Sequence, residues 1–471
     1  MNEIAWLIYK PLKKRRKDES FDNYDNIGAK VIIDVLNRNG YELDYTDIYN
    51  VVNYKLVLIS FTSQYDIIKF YKDVNLLEHW QRGKRKFKVL CGGFGLQNPT
   101  TIRNFIDYAF FGRAENDVVS IVQDILDNKT INHENVMNLP DIHKVKIKQV
   151  NELYPHPLKM SKGRGISNQF NEDIIGCSEK CKFCHYTWSR KAIIKDNQSV
   201  YEKQSLYVGT PEFLLREIKG KIKDKKYGTI ITALDGFSER LRFAWGKKIS
   251  NELLIDTLSS FDKFEKTTLI KMYNIGSYPC ETEHDRREIY DIMKKVNNKS
   301  RVVLTLHTTP FRPSLITPMY KLPVNIEVDF KNRYKKYTKK EDYGKNYISS
   351  EYNDIDIVNN YGGFTVYHDY KYNESNWSQL QWVIIDMSTK DTDSLMSLIC
   401  NNKKFDSLLT NQKVEFLKRN FDLSQYIKHY ELDEAHPAWF LESYSNIKAI
   451  EKIGEKKYQE LLLQNKKNGW I

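Results

Sequence analysis

The run Gly176-Cys177-Ser178-Glu179-Lys180-Cys181-Lys182-Phe183-Cys184-His185 sets three cysteines in a C-x3-C-x2-C spacing. A loop this short can turn three thiolates toward one centre. Thiolates so spaced ligate zinc or an iron–sulfur cluster. A four-cysteine site needs a fourth cysteine close by, and the next one, Cys280, stands far along the chain. Two readings stay open on the residues alone. With His185 as fourth ligand the loop is a zinc knuckle. With three ligands on a four-iron cluster, one iron is left open for a further cofactor.

The 471 residues suffice for two or three domains with real cores, and a 41% hydrophobic content marks a globular chain. No run of eighteen apolar residues marks a transmembrane helix. The start, Met1 to Tyr9, lacks the basic n-region and small-residue cleavage site of a signal peptide. Six cysteines, three of them clustered, make no disulfide framework, so a reducing cytoplasm is the expected compartment. The formal charge of +12 suits nucleic-acid phosphates and equally the Lys-, Asn- and Tyr-rich composition of an AT-rich, virus-like genome.

Apolar, β-prone runs at 3–9, 41–45, 55–61, 87–93 and 108–113 alternate with helical stretches such as 25–39, which ends at Gly40. That alternation predicts an α/β, doubly wound, Rossmann-like parallel sheet over residues 1–130. Cys91 reads as a buried small side chain. Residues 131–170, broken by Pro140, Pro155 and Pro157, read as a linker. Beyond the cysteines a helix is expected over 211–226 and strands over 227–234, 268–276 and 302–309. Asp235-Gly236-Phe237-Ser238-Glu239-Arg240 follows the first of these strands, Ser277-Tyr278-Pro279-Cys280-Glu281-Thr282-Glu283 the second, and the third carries His307. Taken alone, Ser238 reads as a helix cap with Glu239 and Arg240 in solvent. Residues 326–471 are polar, with candidate strands at 362–367 and 380–386 and a helical end.

With Phe183 in its aromatic slot, C-x3-C-x-aromatic-C resembles the signature of radical S-adenosylmethionine (SAM) enzymes. The resemblance implies that Cys177, Cys181 and Cys184 hold a [4Fe-4S] cluster and that Phe183 shields it near the SAM adenine. Reduction would then cleave SAM to a 5′-deoxyadenosyl radical. The segment ending Ser238-Glu239-Arg240-Leu241-Arg242 is similar to the G-S-E-R-L-R segment of the branch with an N-terminal cobalamin-binding-type domain. That likeness implies that Ser238, Glu239 and Arg240 lie beside SAM. The family's Gly-Gly-Glu-like amine site is missing, and Asp235 is expected to stand in for it. Ile275 to Glu283 resembles the family's φ-I-G-x-P-G-E-T-E, with Cys280 in place of glycine. Cys280 and His307 become candidate catalytic residues at the mouth of a partial (β/α) barrel over 171–325. An inert thiol and a structural histidine are the plain alternatives.

The N-terminal domain resembles the cobalamin-binding type at Ile59-Ser60-Phe61-Thr62-Ser63, Gly92-Gly93 and Gly112-Arg113-Ala114-Glu115-Asn116. It lacks the Asp-x-His-x-x-Gly cobalt-ligand motif, and no histidine precedes His79. The expectation is a scaffold without cobalamin. The leading functional expectation is a radical SAM enzyme acting on a large substrate, a nucleic-acid base in DNA or tRNA, such as a viral DNA thymine. A flavodoxin or ferredoxin would supply electrons. The alternatives are a cobalamin-dependent methylase or tRNA-modifying enzyme, and a zinc-dependent nucleic-acid-binding protein without catalysis.

Overall fold

The computed structural model describes residues 2–9, 26–62, 64–159, 169–172, 174–177, 179–194, 206–208, 229–259, 268–295, 302–323, 355–361, 364–369, 389–402, 404–405, 408, 410–422, 441–442 and 447–471. The helix expected at 211–226 and the strand expected at 380–386 lie outside the described residues.

Strand β1 (Ile4–Leu7) is buried along its whole length. Helix α1 (Ile27–Arg38) begins at Asn26, whose Oδ1 accepts the Ala29 N–H at 3.0 Å. It stops at Asn39-Gly40, where the N–H groups of Gly40 and Tyr41 bond back to the carbonyls of Asn37 and Leu36. Then come β2 (Leu43–Thr46), β3 (Leu56–Ser60), α2 (Gln64–Val74), β4 (Lys88–Gly92), β5 (Tyr108–Phe110) and α3 (Val118–Leu126). The strands lie in the order β2-β1-β3-β4-β5 and pair in parallel, the flavodoxin-like doubly wound order.

The sheet does not stop at residue 130. Strand β6 (Val136–Asn138) pairs antiparallel with β5, inside the stretch expected to be a linker. Its apolar residues Val136 and Met137 are buried, and β6 is the edge strand on this side of the sheet. Strand alternation divides the core in two. Val57, Ile59, Val89 and Cys91 pack with Phe61, Phe70 and Trp80 on one face. Trp6, Leu58, Leu90 and Phe110 pack against α1 and α3 on the other.

Past the cysteines, α4 (His185–Ser189) precedes a second six-stranded sheet. Strands β7 (Leu206–Val208), β8 (Thr229–Ala233), β9 (Thr268–Gly276) and β10 (Val302–Pro310) pair in parallel in chain order. Strand β11 (Ile355–Tyr361) forms the edge, antiparallel to β12 (Phe364–Asp369), which pairs in parallel with β10. Helices α5 (Glu239–Ala244) and α6 (Asn251–Ser259) connect β8 to β9, and α7 (Glu283–Lys295) connects β9 to β10. Helices α8 (Thr389–Asn401) and α9 (Thr410–Asn420) follow, and Leu395, Met396, Ile399 and Leu417 join Ile68 of α2 in one cluster.

The two halves are welded. After β10 the chain turns back, and Leu315, Ile316 and Tyr320 are buried in the first half's core. A last helix, α10 (Ile447–Lys467), places Leu461 in the core under the second sheet's loops. Among the described residues no helix is long and apolar enough to cross a membrane.

Candidate cofactor site

A two-residue ladder, Ile174–Ile175 against Ile193–Ile194, closes the base of the cysteine loop. The loop docks on the end of α5. The Lys182 N–H donates to the Trp245 carbonyl at 2.8 Å and Lys182 Nζ to that of Ala244 at 2.6 Å. Within it, Thr187 Oγ1 donates to the Cys177 carbonyl and Trp188 Nε1 to that of Cys181. All three cysteines are free thiols. Burial pushes the Cys181 thiol up to about 12, against the opposing charge of Lys247. Burial also raises Cys184, and the N–H groups of Thr187 and Tyr186 offset part of the rise. Cys181 and Cys184 each lie within reach of Cys177's charge. Among the described residues, no three His, Cys, Asp or Glu side chains are gathered closely enough to grip a single metal ion.

The donor chemistry fits a cationic, thiolate-bound group. At Cys181 and Cys184 burial disfavours the bare anion, so a bound iron group would stabilise their thiolate form. His185 is the fourth ligand of the zinc reading. Its Nδ1 bonds the Leu315 carbonyl at 2.8 Å and its ring stands edge-on to Phe94. Burial lowers its pKa to about 4.

Asp235 follows β8 directly, in the left-handed region at φ 52°. Its charge reaches both Cys181 and Cys184, and its Oδ2 pairs with Lys247 Nζ at 2.7 Å. Phe183 rests near Tyr278, on a cluster that also holds Trp245, Cys280 and Phe311.

The Ser-Glu-Arg triplet is hydrogen-bonded into the protein. Ser238 caps α5 and donates to Asp285 Oδ1 at 2.6 Å. Glu239 Oε2 accepts the Asn251 N–H at 2.5 Å and so holds the start of α6. Arg240 grips Asp285 through Nε, at 2.6 Å, and Nη2. Its remaining donor, Nη1, is buried without a partner. The expected solvent-exposed charge cluster is thus corrected, because Asp285 and Asn251 take up these groups.

Cys280 lies in the core at 2% exposure, where burial pushes its thiol pKa well up. His307 is placed by its backbone, sixth along β10, in register with Tyr273 on one side and Asp369 on the other.

Several residues of this region escape a sequence reading. Asp285 announces itself only as the last member of a Thr-x-x-Asp capping box with Thr282. Lys247 and Asn274 carry no local signal. Asn274 Oδ1 accepts the Gly236 N–H at 2.7 Å, while its Nδ2 is buried and unpartnered. A second hollow, a cavity of about 230 Å³, opens at the carboxyl ends of the first sheet's strands, lined by Trp6, Ile59, Ser60, Gly92, Phe110 and Arg190 among others. Arg190 reaches it from the end of α4 and lies over the rings of Phe94 and Tyr186, which also touch each other edge-on.

No family model and no curated protein matches the chain. Among solved structures the chain is similar to a radical S-adenosylmethionine methyltransferase, TsrM, from Kitasatospora setae with cobalamin and a [4Fe-4S] cluster bound. The match has 12% identity and a TM-score of 0.43, over 68% of this chain and 77% of that one. It is also similar to the cobalamin-dependent S-adenosylmethionine radical enzyme OxsB with aqua-cobalamin bound, at 12% identity and a TM-score of 0.30, over 67% and 44% of the two chains. Likeness of this extent assigns the chain to no family.

Proposed function

We propose that the chain is a radical SAM enzyme, with a [4Fe-4S] cluster held by Cys177, Cys181 and Cys184. One observation carries the reading. The C-x3-C-x-Phe-C loop carries three free thiols, two of them, Cys181 and Cys184, in the field of Asp235, which follows the carboxyl end of β8 in a sheet whose parallel strands β7 to β10 follow chain order. Barrel-type sheets build their chemistry at those ends.

Such a cluster, when bound, supplies the electron that cleaves SAM. The chain's own residues do the rest. Asp235 offers a carboxylate to the methionine amine, exchanging it for Lys247. Arg240, fixed by Asp285, keeps Nη1 for a carboxylate. Phe183, Tyr278, Trp245 and Phe311 form an apolar wall that keeps water from the reacting centre. The substrate we propose is a nucleic-acid base, supported by the net charge of +12, and the electron donor a flavodoxin or ferredoxin.

The test is anaerobic reconstitution with iron and sulfide. The expected result is four irons per chain and 5′-deoxyadenosine from SAM under reductant, both lost in Cys181→Ala. Faster cleavage with DNA or tRNA than with small metabolites supports the substrate class, and the reverse rejects it. One zinc and no SAM cleavage would leave a binding module. The cavity at the first sheet's strand ends favours a second reading, a cobalamin-dependent methylase, despite the missing cobalt-ligand motif. A corrinoid absorption band retained after hydroxocobalamin loading and desalting would support it.

A further inference from the structure

The turn at 246–247 is pressed onto the cysteine loop. Gly246 has φ 90°, and a Cβ there would stand 3.0 Å from the Lys180 carbonyl oxygen and 3.4 Å from Cys181 Cα. Lys247 is fixed by its own backbone, its N–H on the Arg242 carbonyl at 2.8 Å and its carbonyl accepting the Ile249 N–H at 2.9 Å. Its Nζ is 2.7 Å from Asp235 Oδ2, and the two side chains are only 10% and 13% exposed. Glu179 and Cys181 also lie within its electrostatic reach. A buried ion pair is no better for stability than a well-packed apolar pair, so stability alone does not explain this one. Its placement does: a cation and an anion, paired at 2.7 Å, both bear on the loop that carries the three thiols.

We infer that Lys247 and Asp235 are an opposed charge pair that sets the reduction potential of the cluster held by Cys177, Cys181 and Cys184, Lys247 raising it and Asp235 lowering it. The inference rests on the proposed cluster. One-electron reduction, by a low-potential protein donor in the cell or by dithionite in the tube, adds one negative charge to the cluster and breaks no bond. An ammonium nearby favours that added charge and a carboxylate opposes it, and both act strongly because the surroundings are poorly solvated. Lys247 is therefore a positioning residue for charge, not a ligand.

The experiment is a redox titration of the reconstituted full-length protein without SAM, followed by electron paramagnetic resonance. Wild type is compared with Lys247→Met, Lys247→Arg and Asp235→Asn. The expected midpoint falls in Lys247→Met, returns to the wild-type value in Lys247→Arg and rises in Asp235→Asn. A merely structural role would move both neutralising variants in one direction. Equal-sign shifts, or none, in a loaded protein overturn the inference and leave the cluster standing. A wild type that takes up no iron overturns both. If Lys247→Met does not fold, Asp235→Asn decides alone, since a midpoint that fails to rise rejects the pair's role.

Discussion

Asp285 shows how a single buried carboxylate organises the region the sequence singled out. It receives Ser238 Oγ at 2.6 Å, the Arg240 fork, and the N–H and Oγ1 of Thr282, each at 2.8 Å. Burial on its own would raise its pKa. The hydrogen bonds from Arg240 and Ser238, with the Arg240 charge, more than offset that and hold it below the usual carboxylate range. A depressed folded pKa contributes stability that is fully present above the unfolded value, about 3.9, and is lost as pH falls through the folded value. Asp285→Asn should destabilise the protein at pH 7 by about 3–5 kcal/mol, because it leaves the Arg240 guanidinium buried without its counter-charge. It should also flatten the loss of stability below about pH 4. Urea unfolding at the two pH values reads both effects, and an unchanged midpoint at pH 7 would reject the assignment. The cap at Ser238 is legible in the sequence. Its meeting with Asp285 is not, since their contact spans 47 residues and depends on two strands pairing first.

At the scale of elements, α10 teaches the same lesson more sharply. Gly454 inside a helix reads as a weak point, because glycine lowers helix propensity by about 1 kcal/mol against alanine. The structure gives its reason: a Cβ at 454 would stand 1.7 Å from the Pro318 carbonyl oxygen. The glycine lets the helix lie flat on the segment after β10. Further along, Leu461 enters the core and Asn465 Nδ2 donates to the Cys280 carbonyl at 3.0 Å. Beyond the helix, Trp470 stacks on His284, with Arg240 over its ring at 4.9 Å. Gly454→Ala must push helix and segment apart at an overpacking cost of about 1–3 kcal/mol, although it raises helix propensity. Hydrogen exchange should show faster amide exchange in α10 and unchanged protection in β1, β3 and β4. Slower exchange in α10 would mean propensity outweighs the clash. The helical end of the chain is legible in the sequence. The partner surface is not.

For the whole molecule, the legible part is the layering. Buried runs such as Ile4 to Leu7 and Leu56 to Ile59 mark parallel strands covered on both faces. The joint between the halves is what stays hidden, because it is made by polar groups that look like loop residues. Arg113, read only as part of a strand end, forks onto Glu172 just before the cysteine loop at 2.6 and 2.8 Å and also holds Glu115. Glu172 in turn accepts the Tyr154 N–H at 2.9 Å. Gln149 Nε2 donates to the Ser189 carbonyl at 2.8 Å, so α4 is tied to the first half. Interfaces between domains of one chain are commonly polar and yielding. This one instead combines a buried fork with Leu315, Ile316 and Tyr320 inside the first half's core, so the two halves should unfold together. Arg113→Met strands two carboxylates in a buried place and should cost about 3–5 kcal/mol. It should also split a single urea transition into two, the half carrying the cysteine loop opening first, with a lower m-value for each step. Tryptophan fluorescence and far-ultraviolet circular dichroism, coincident in wild type, should separate in the variant. Coincident transitions with a full m-value would show that the apolar weld alone couples the halves.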